Sequence, residues 1–244
     1  EYSRKKPAGT LRVAVVGSSW TMATGVAQES SWHAQLERDL NEAYPGRHFE
    51  FINFGVEYYG LREVVATVRH RVPKWDPDVI HIDLTSFTAY LLWESPPANL
   101  PLPDKTSPFL QSFALRALDA NLEAGFFSQR LPQRPTVGLD MNLAHAQVVR
   151  AIREVHALAA SQQIPVIVSW LSFGRPGAAL LQELEQVSAE LGLIFIPAYK
   201  SIQQRGLRKG AKITAKHPDS ETHAVIANLV RKAMAANNLL PLEQ

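Results

Sequence analysis

The stretch Leu11-Arg12-Val13-Ala14-Val15-Val16-Gly17-Ser18-Ser19-Trp20-Thr21-Met22 decides the fold. A short apolar run closed by turn residues reads as a buried strand. The glycine permits a tight turn, and a serine after it opens a helix by accepting backbone N–H groups. Four more apolar runs follow: Phe49–Phe54, Val79–Leu84, Pro165–Trp170 and Leu193–Pro197. Helical spacing separates them. Trp32–Tyr44 stops at Pro45-Gly46, Leu61–Val72 stops at Pro73, and Ala144–Ala160 is amphipathic. Ala178–Leu191 ends at Gly192, and Thr222–Ala236 is the last helix. Strands alternating with helices predict βαβ units with right-handed crossovers. The expected architecture is α/β, a three-layer α/β/α sandwich around a mostly parallel five-stranded sheet.

One interval breaks this rhythm. From about residue 89 to 143 no strand is legible, and Pro96, Pro97, Pro101, Pro103 and Pro108 crowd its first part. A helix is expected over Leu110–Ala124, then another loop through Pro132, Pro135 and Gly138. Loops this long in compact domains are functional or flexible. We expect an insertion beside the ligand site, within one domain spanning 10–240 after a tail of residues 1–9.

Composition narrows the function classes. The chain has 244 residues, 46% of them hydrophobic and 20% charged, which is a globular composition. Its 25 basic and 23 acidic residues leave a net charge of +2, too balanced to point to nucleic acid as a partner. With no cysteine, a disulfide framework, a thiol nucleophile and zinc–thiolate chemistry are excluded. No metal-ligand spacing and no phosphate-cradling glycine loop is present, so neither metal nor cofactor is expected. No apolar run reaches the roughly 18 residues of a membrane span. The chain begins at Glu1, not at Met, and we expect a processed product, compatible with an upstream signal peptide or membrane tether.

In open α/β sheets the ligand binds at the carboxyl ends of the strands. Four polar segments fall there: Ser18-Ser19, Gly55-Val56-Glu57, Thr85-Ser86-Phe87-Thr88, and His217-Pro218 ahead of the last helix. A serine after the first strand and a histidine before the last helix can meet above the sheet, the layout of a hydroxyl activated by an imidazole. The plain reading of the same serines is helix capping.

Taken together, Gly17-Ser18-Ser19, Asn53-Phe54-Gly55, the Pro77–Leu84 approach to Phe87, and His217-Pro218 with His223 resemble the blocks of the SGNH/GDSL hydrolases. The resemblance runs from about Gly9 to Ala236 and implies a flavodoxin-like strand order. It implies Ser19 as nucleophile, His217 as its base within hydrogen-bond reach, and the N–H groups of Ser19 and Gly55 as the oxyanion hole. Two positions depart from the family. Phe87 stands where an asparagine donates to the oxyanion, with Ser86 and Thr88 as the neighbouring hydroxyls. Thr214 stands where the aspartate partner of the histidine is usual. Asp219, Glu57 or a backbone carbonyl are the alternatives for orienting His217.

Ser86, Phe87, Trp93 and Tyr58 are the expected substrate wall. His33, His48, His70, His145 and His156 read as structural residues of surface or half-buried helix, His81 as a packed core residue and His223 as a fixture of the last helix. The resemblance implies ester hydrolysis or acetyl transfer on a small-molecule or polysaccharide ester, in a periplasmic or secreted setting. The losses at Phe87 and Thr214 keep open a degenerate domain that binds glycan or a protein partner without turnover.

Overall fold

In the computed structural model the described residues are 2–90, 141–172, 177–204 and 217–241, and they fall in one compact unit. Their strands are β1 (Thr10–Val16), β2 (His48–Asn53), β3 (Val79–Leu84), β4 (Val166–Trp170) and β5 (Ile194–Ile196). All pairings are parallel, in the order β2-β1-β3-β4-β5. That is the doubly wound flavodoxin-like order, with the first strand at the point where the chain reverses its direction across the sheet.

The helices are α1 (Ser19–Met22), α2 (Trp32–Ala43), α3 (Leu61–His70), α4 (Ser86–Tyr90), α5 (Met141–Ala160), α6 (Ala178–Leu191), α7 (Tyr199–Gln204) and α8 (Ser220–Ala236). The insertion expected over about 89–143 lies outside the described residues from 91 to 140, as does the helix expected over Leu110–Ala124.

Side chains alternate across a strand, and the sequence uses both faces. Ala14 and Val16, Ile52 and Phe54, Ile80, Ile82 and Leu84, and Val166 and Val168 pack with α3, α5 and α6. Val13 and Val15, Phe49 and Phe51, Val79 and Ile167 pack with α2 and α8 around Trp32, Leu36, Ile226 and Val230. Both faces are apolar and both are covered, as a parallel sheet requires. Trp20 belongs to the second core and is 7% exposed.

The segment before β1 is bound to the domain. Arg12, fully buried in β1, pairs with Glu50 across the β1–β2 ladder, Nε to Oε2 at 2.6 Å. Its remaining N–H groups donate to the carbonyls of Trp75 at 2.6 Å and Ser3 at 2.9 Å. Lys6 bonds Asp78 at 2.8 Å, and the Tyr2 hydroxyl donates to Glu37 at 2.6 Å.

Candidate active site

β1 delivers Gly17-Ser18-Ser19 to the carboxyl edge of the sheet. Gly17 has no room for a side chain: a Cβ there would lie 2.1 Å from Thr21 Oγ1 and 2.9 Å from Asp83 Cβ. The chain therefore turns tightly into α1, whose first residue is Ser19. The two serines differ in access. Ser18 is 1% exposed, and its Oγ accepts from Thr88 Oγ1 at 3.2 Å. Ser19 is partly exposed. Of the two, Ser19 is the one open to solvent.

His217 lies just ahead of α8 and is partly exposed. Among the described residues, neither the Ser19 hydroxyl nor the His217 ring makes a side-chain hydrogen bond. The acids expected to orient His217 are engaged elsewhere. Asp219 caps α8, with Oδ1 accepting from Thr222 N–H at 2.9 Å and from the Thr222 hydroxyl at 2.7 Å. Glu57 accepts from the Thr24 hydroxyl at 2.9 Å. Thr214 lies outside the described residues.

Gly55 packs on the turn that carries Ser19, where a Cβ would lie 2.4 Å from Met22 N and 2.7 Å from Thr21 C. Its N–H donates to Asn53 Oδ1 at 2.7 Å. The Asn53 amide nitrogen then faces His33 Nε2 at 3.0 Å. With Nε2 accepting, the proton of the neutral ring sits on Nδ1, which is 3.3 Å from Ser31 Oγ. The same Nε2 lies 3.2 Å from the Thr21 carbonyl. Burial pushes the His33 imidazole down to about 4, against the opposing pull of the Thr21 carbonyl and Asp83.

Beneath the turn, on the α2 and α8 side of the sheet, lies a polar cluster that sequence reasoning missed. Asp83, fully buried, accepts from Thr21 Oγ1 at 2.8 Å. His81 Nε2 stands 3.2 Å from Asp83 Oδ1 and 2.7 Å from Ser169 Oγ. His223 Nδ1 accepts the first N–H of α2, from Trp32, at 3.2 Å, which ties α8 to α2. Burial pushes His223 down to about 4 as well, with the nearby His33 acting in the same direction. A signal was present: His81, Asp83 and Ser169 break apolar strands at period two, which puts them on one face.

His33 and His145 are buried, at 5% and 8% exposure, so the expected surface or half-buried setting holds for neither. His81 is in the core as expected, but as a member of this polar cluster. Of the expected wall, Ser86 begins α4 and its Oγ lies 3.1 Å from Ser172 Oγ. Tyr58 is 76% exposed, with a positive φ of 63°. The Phe87 side chain and Trp93 lie outside the described residues. Among the described residues no group of histidines and carboxylates is arranged to hold a metal ion. No described helix is long and apolar enough to cross a membrane.

The sheet order and the serine at its switch point define the class of fold, and comparison with solved structures agrees. No protein-family model matches the sequence, and no curated protein does. LAE5, an alpha/beta hydrolase enzyme from the metagenome of Lake Arreo in Spain, superposes with a TM-score of 0.60 at 16% identity, over 92% of this chain and 95% of that one. TesA does so with 0.59 at 13%, over 92% and 98%. Axe2, an acetylxylan esterase from Geobacillus stearothermophilus, gives 0.56 at 13%, over 92% and 94%. A lipolytic protein of the G-D-S-L family from Veillonella parvula gives 0.56 at 13%, over 92% and 98%. The chain has the SGNH/GDSL hydrolase fold, and its structural neighbours are esterases and lipolytic proteins.

Proposed function

We propose that this chain is a serine esterase acting on acetyl esters of carbohydrate, with Ser19 as nucleophile and His217 as general base. The observation that carries the reading is the placement of Ser19. It is the partly exposed serine that opens α1 at the carboxyl end of the first strand of an SGNH-type sheet, with a partly exposed histidine heading the last helix. In the reaction, Ser19 Oγ attacks the ester carbonyl carbon and its proton passes to His217. The alcohol leaves with that proton. Water then attacks the acyl-serine, His217 takes its proton and returns it to Oγ, and the carboxylic acid departs. Transfer to a sugar hydroxyl replaces water by another acceptor and changes nothing else.

Acetylated carbohydrate as substrate, and an extracytoplasmic setting, belong to this proposal. The substrate is supported by the acetylxylan esterase among the neighbours and by a two-domain esterase active on acetylated mannans, which covers 96% of this chain at 14% identity. The test is hydrolysis of a small aryl acetate and of an acetylated oligosaccharide. The parent chain turns over both and Ser19→Ala neither. Equal rates for the two proteins would end the hydrolase reading.

A second reading has its own observation. Ser19 and His217 are not hydrogen-bonded to one another, Asp219 and Glu57 are engaged elsewhere, and Gly55 N–H is held by Asn53. A domain that binds an ester or a glycan without turnover fits those contacts. Fluorophosphonate labelling separates the two, since it requires an activated serine and no particular substrate.

A further inference from the structure

The oxygen of a carbonyl under attack gathers negative charge, and rate depends on donors already aimed at it. Phe87 carries no such donor, and Gly55 N–H is taken by Asn53. At the carboxyl edge of β1, β3 and β4, however, stand five hydroxyl side chains in two bonded groups: Ser18, Thr85 and Thr88 in one, Ser86 and Ser172 in the other. The ladder pairs Leu84 with Trp170, and Leu171 N–H donates to the Leu84 carbonyl at 2.7 Å. Ser86 and Ser172, each two residues further on, therefore stand opposite one another, with Oγ atoms 3.1 Å apart. The bond from Thr88 Oγ1 to Ser18 Oγ, 3.2 Å, holds the first turn of α4 against the turn that carries Ser19.

Exposure sorts the five. Ser18, Thr85 and Thr88 are 1%, 5% and 0% exposed and are bonded among themselves, with Thr85 and Thr88 Oγ1 atoms 3.0 Å apart. Ser172 is 8% exposed. Ser86 is the partly exposed member.

We propose that the Ser86 hydroxyl is the side-chain donor to the developing oxyanion of this site, held in place by Ser172. The assignment rests on the ester-hydrolysis reading above. Either hydroxyl of the Ser86–Ser172 pair can be the donor, and a serine hydrogen turns about the Cβ–Oγ bond, so the Ser86 hydrogen can be directed to a substrate oxygen without moving a heavy atom. It forms its bond to the oxygen as charge appears there, and so acts on turnover and not on ground-state binding. The covalent steps are those already given; Ser86 lends a hydrogen bond and exchanges no atoms.

The test compares aryl acetate hydrolysis by the parent, Ser86→Ala, Ser86→Thr and Ser19→Ala, with melting temperatures alongside. Removing one oxyanion donor costs on the order of 100-fold in kcat. Ser86→Ala is expected to show a loss of that order with KM and melting temperature near the parent, and Ser86→Thr, which keeps a hydroxyl, to retain most of the rate. Fluorophosphonate labelling of Ser19 should slow in the alanine variant in parallel, because the phosphonyl oxygen occupies the same place. Parental kcat in Ser86→Ala, or a change confined to KM, overturns the assignment while hydrolysis that needs Ser19 leaves the esterase reading standing. A parent without Ser19-dependent hydrolysis or labelling overturns both.

Discussion

Arg12 and Glu50 show what a single buried residue can demand. A guanidinium at zero exposure is tolerable only if its N–H groups find acceptors, and here a carboxylate and three carbonyls supply them. Glu50→Ala leaves that charge uncompensated and should cost about 3–5 kcal/mol, read as a fall in the urea midpoint. At Gly17 the constraint is space. Gly17→Ala drives a methyl into Thr21 and Asp83, and overpacking of this kind costs about 1–3 kcal/mol. A variant as stable as the parent would mean that the turn relaxes freely. Ser19, Gly55 and His217 could be placed at the sheet edge from sequence because each follows or precedes an element at a readable position. Asn53, Asp83 and Ser172 have partners that could not be read there. Their significance lies in partners far along the chain, such as Thr21 for Asp83 and Ser86 for Ser172, and single-chain periodicity carries no information on those pairings.

At the scale of elements, β3 was legible to the residue, and the other strands to within one residue at each end. The differences have physical causes. Thr10 joins β1 because it pairs with His48 in the ladder. Pro165 and Pro197 fall outside β4 and β5, where a residue without an N–H cannot continue the pairing. The short helices α4 and α7 escaped notice because runs of five or six residues show no period. For the proposed reaction the start of α8 matters most, since it sets where His217 stands. Asp219→Ala removes the cap and should cost about 1 kcal/mol in stability, measured by thermal unfolding. Because His217 is two residues upstream of that cap, the same variant should lose turnover beyond what its melting temperature explains; unchanged kcat would show that His217 is held by other means.

For the whole molecule, His33 and His223 give a response to acid. Each titrates near 4 in the folded chain, because burial disfavours the charged ring, against an ordinary value of 6.5. Between those values the unfolded chain binds protons that the folded chain refuses, so stability falls as pH drops from about 6.5 towards 4. Thermal unfolding across that range should show a melting temperature that declines with pH. His223→Gln should flatten the decline, whatever it does to stability at neutral pH. An unaltered slope would mean that other groups govern the acid limb.

The residues ahead of β1 can be regarded as a ligand that happens to be covalently attached. Ser3 supplies a carbonyl to the buried Arg12, Tyr2 reaches Glu37, and Lys6 reaches Asp78. Tethering raises their effective concentration to on the order of millimolar, so contacts too weak to capture a free hexapeptide are filled in the intact chain. Proteolytic trimming at Pro7 would then act like ligand dissociation. It would withdraw two acceptors, the carbonyls of Ser3 and Arg4, from a charge that cannot reach water, and the clipped chain should regain part of its lost stability when the missing peptide is added back at high concentration.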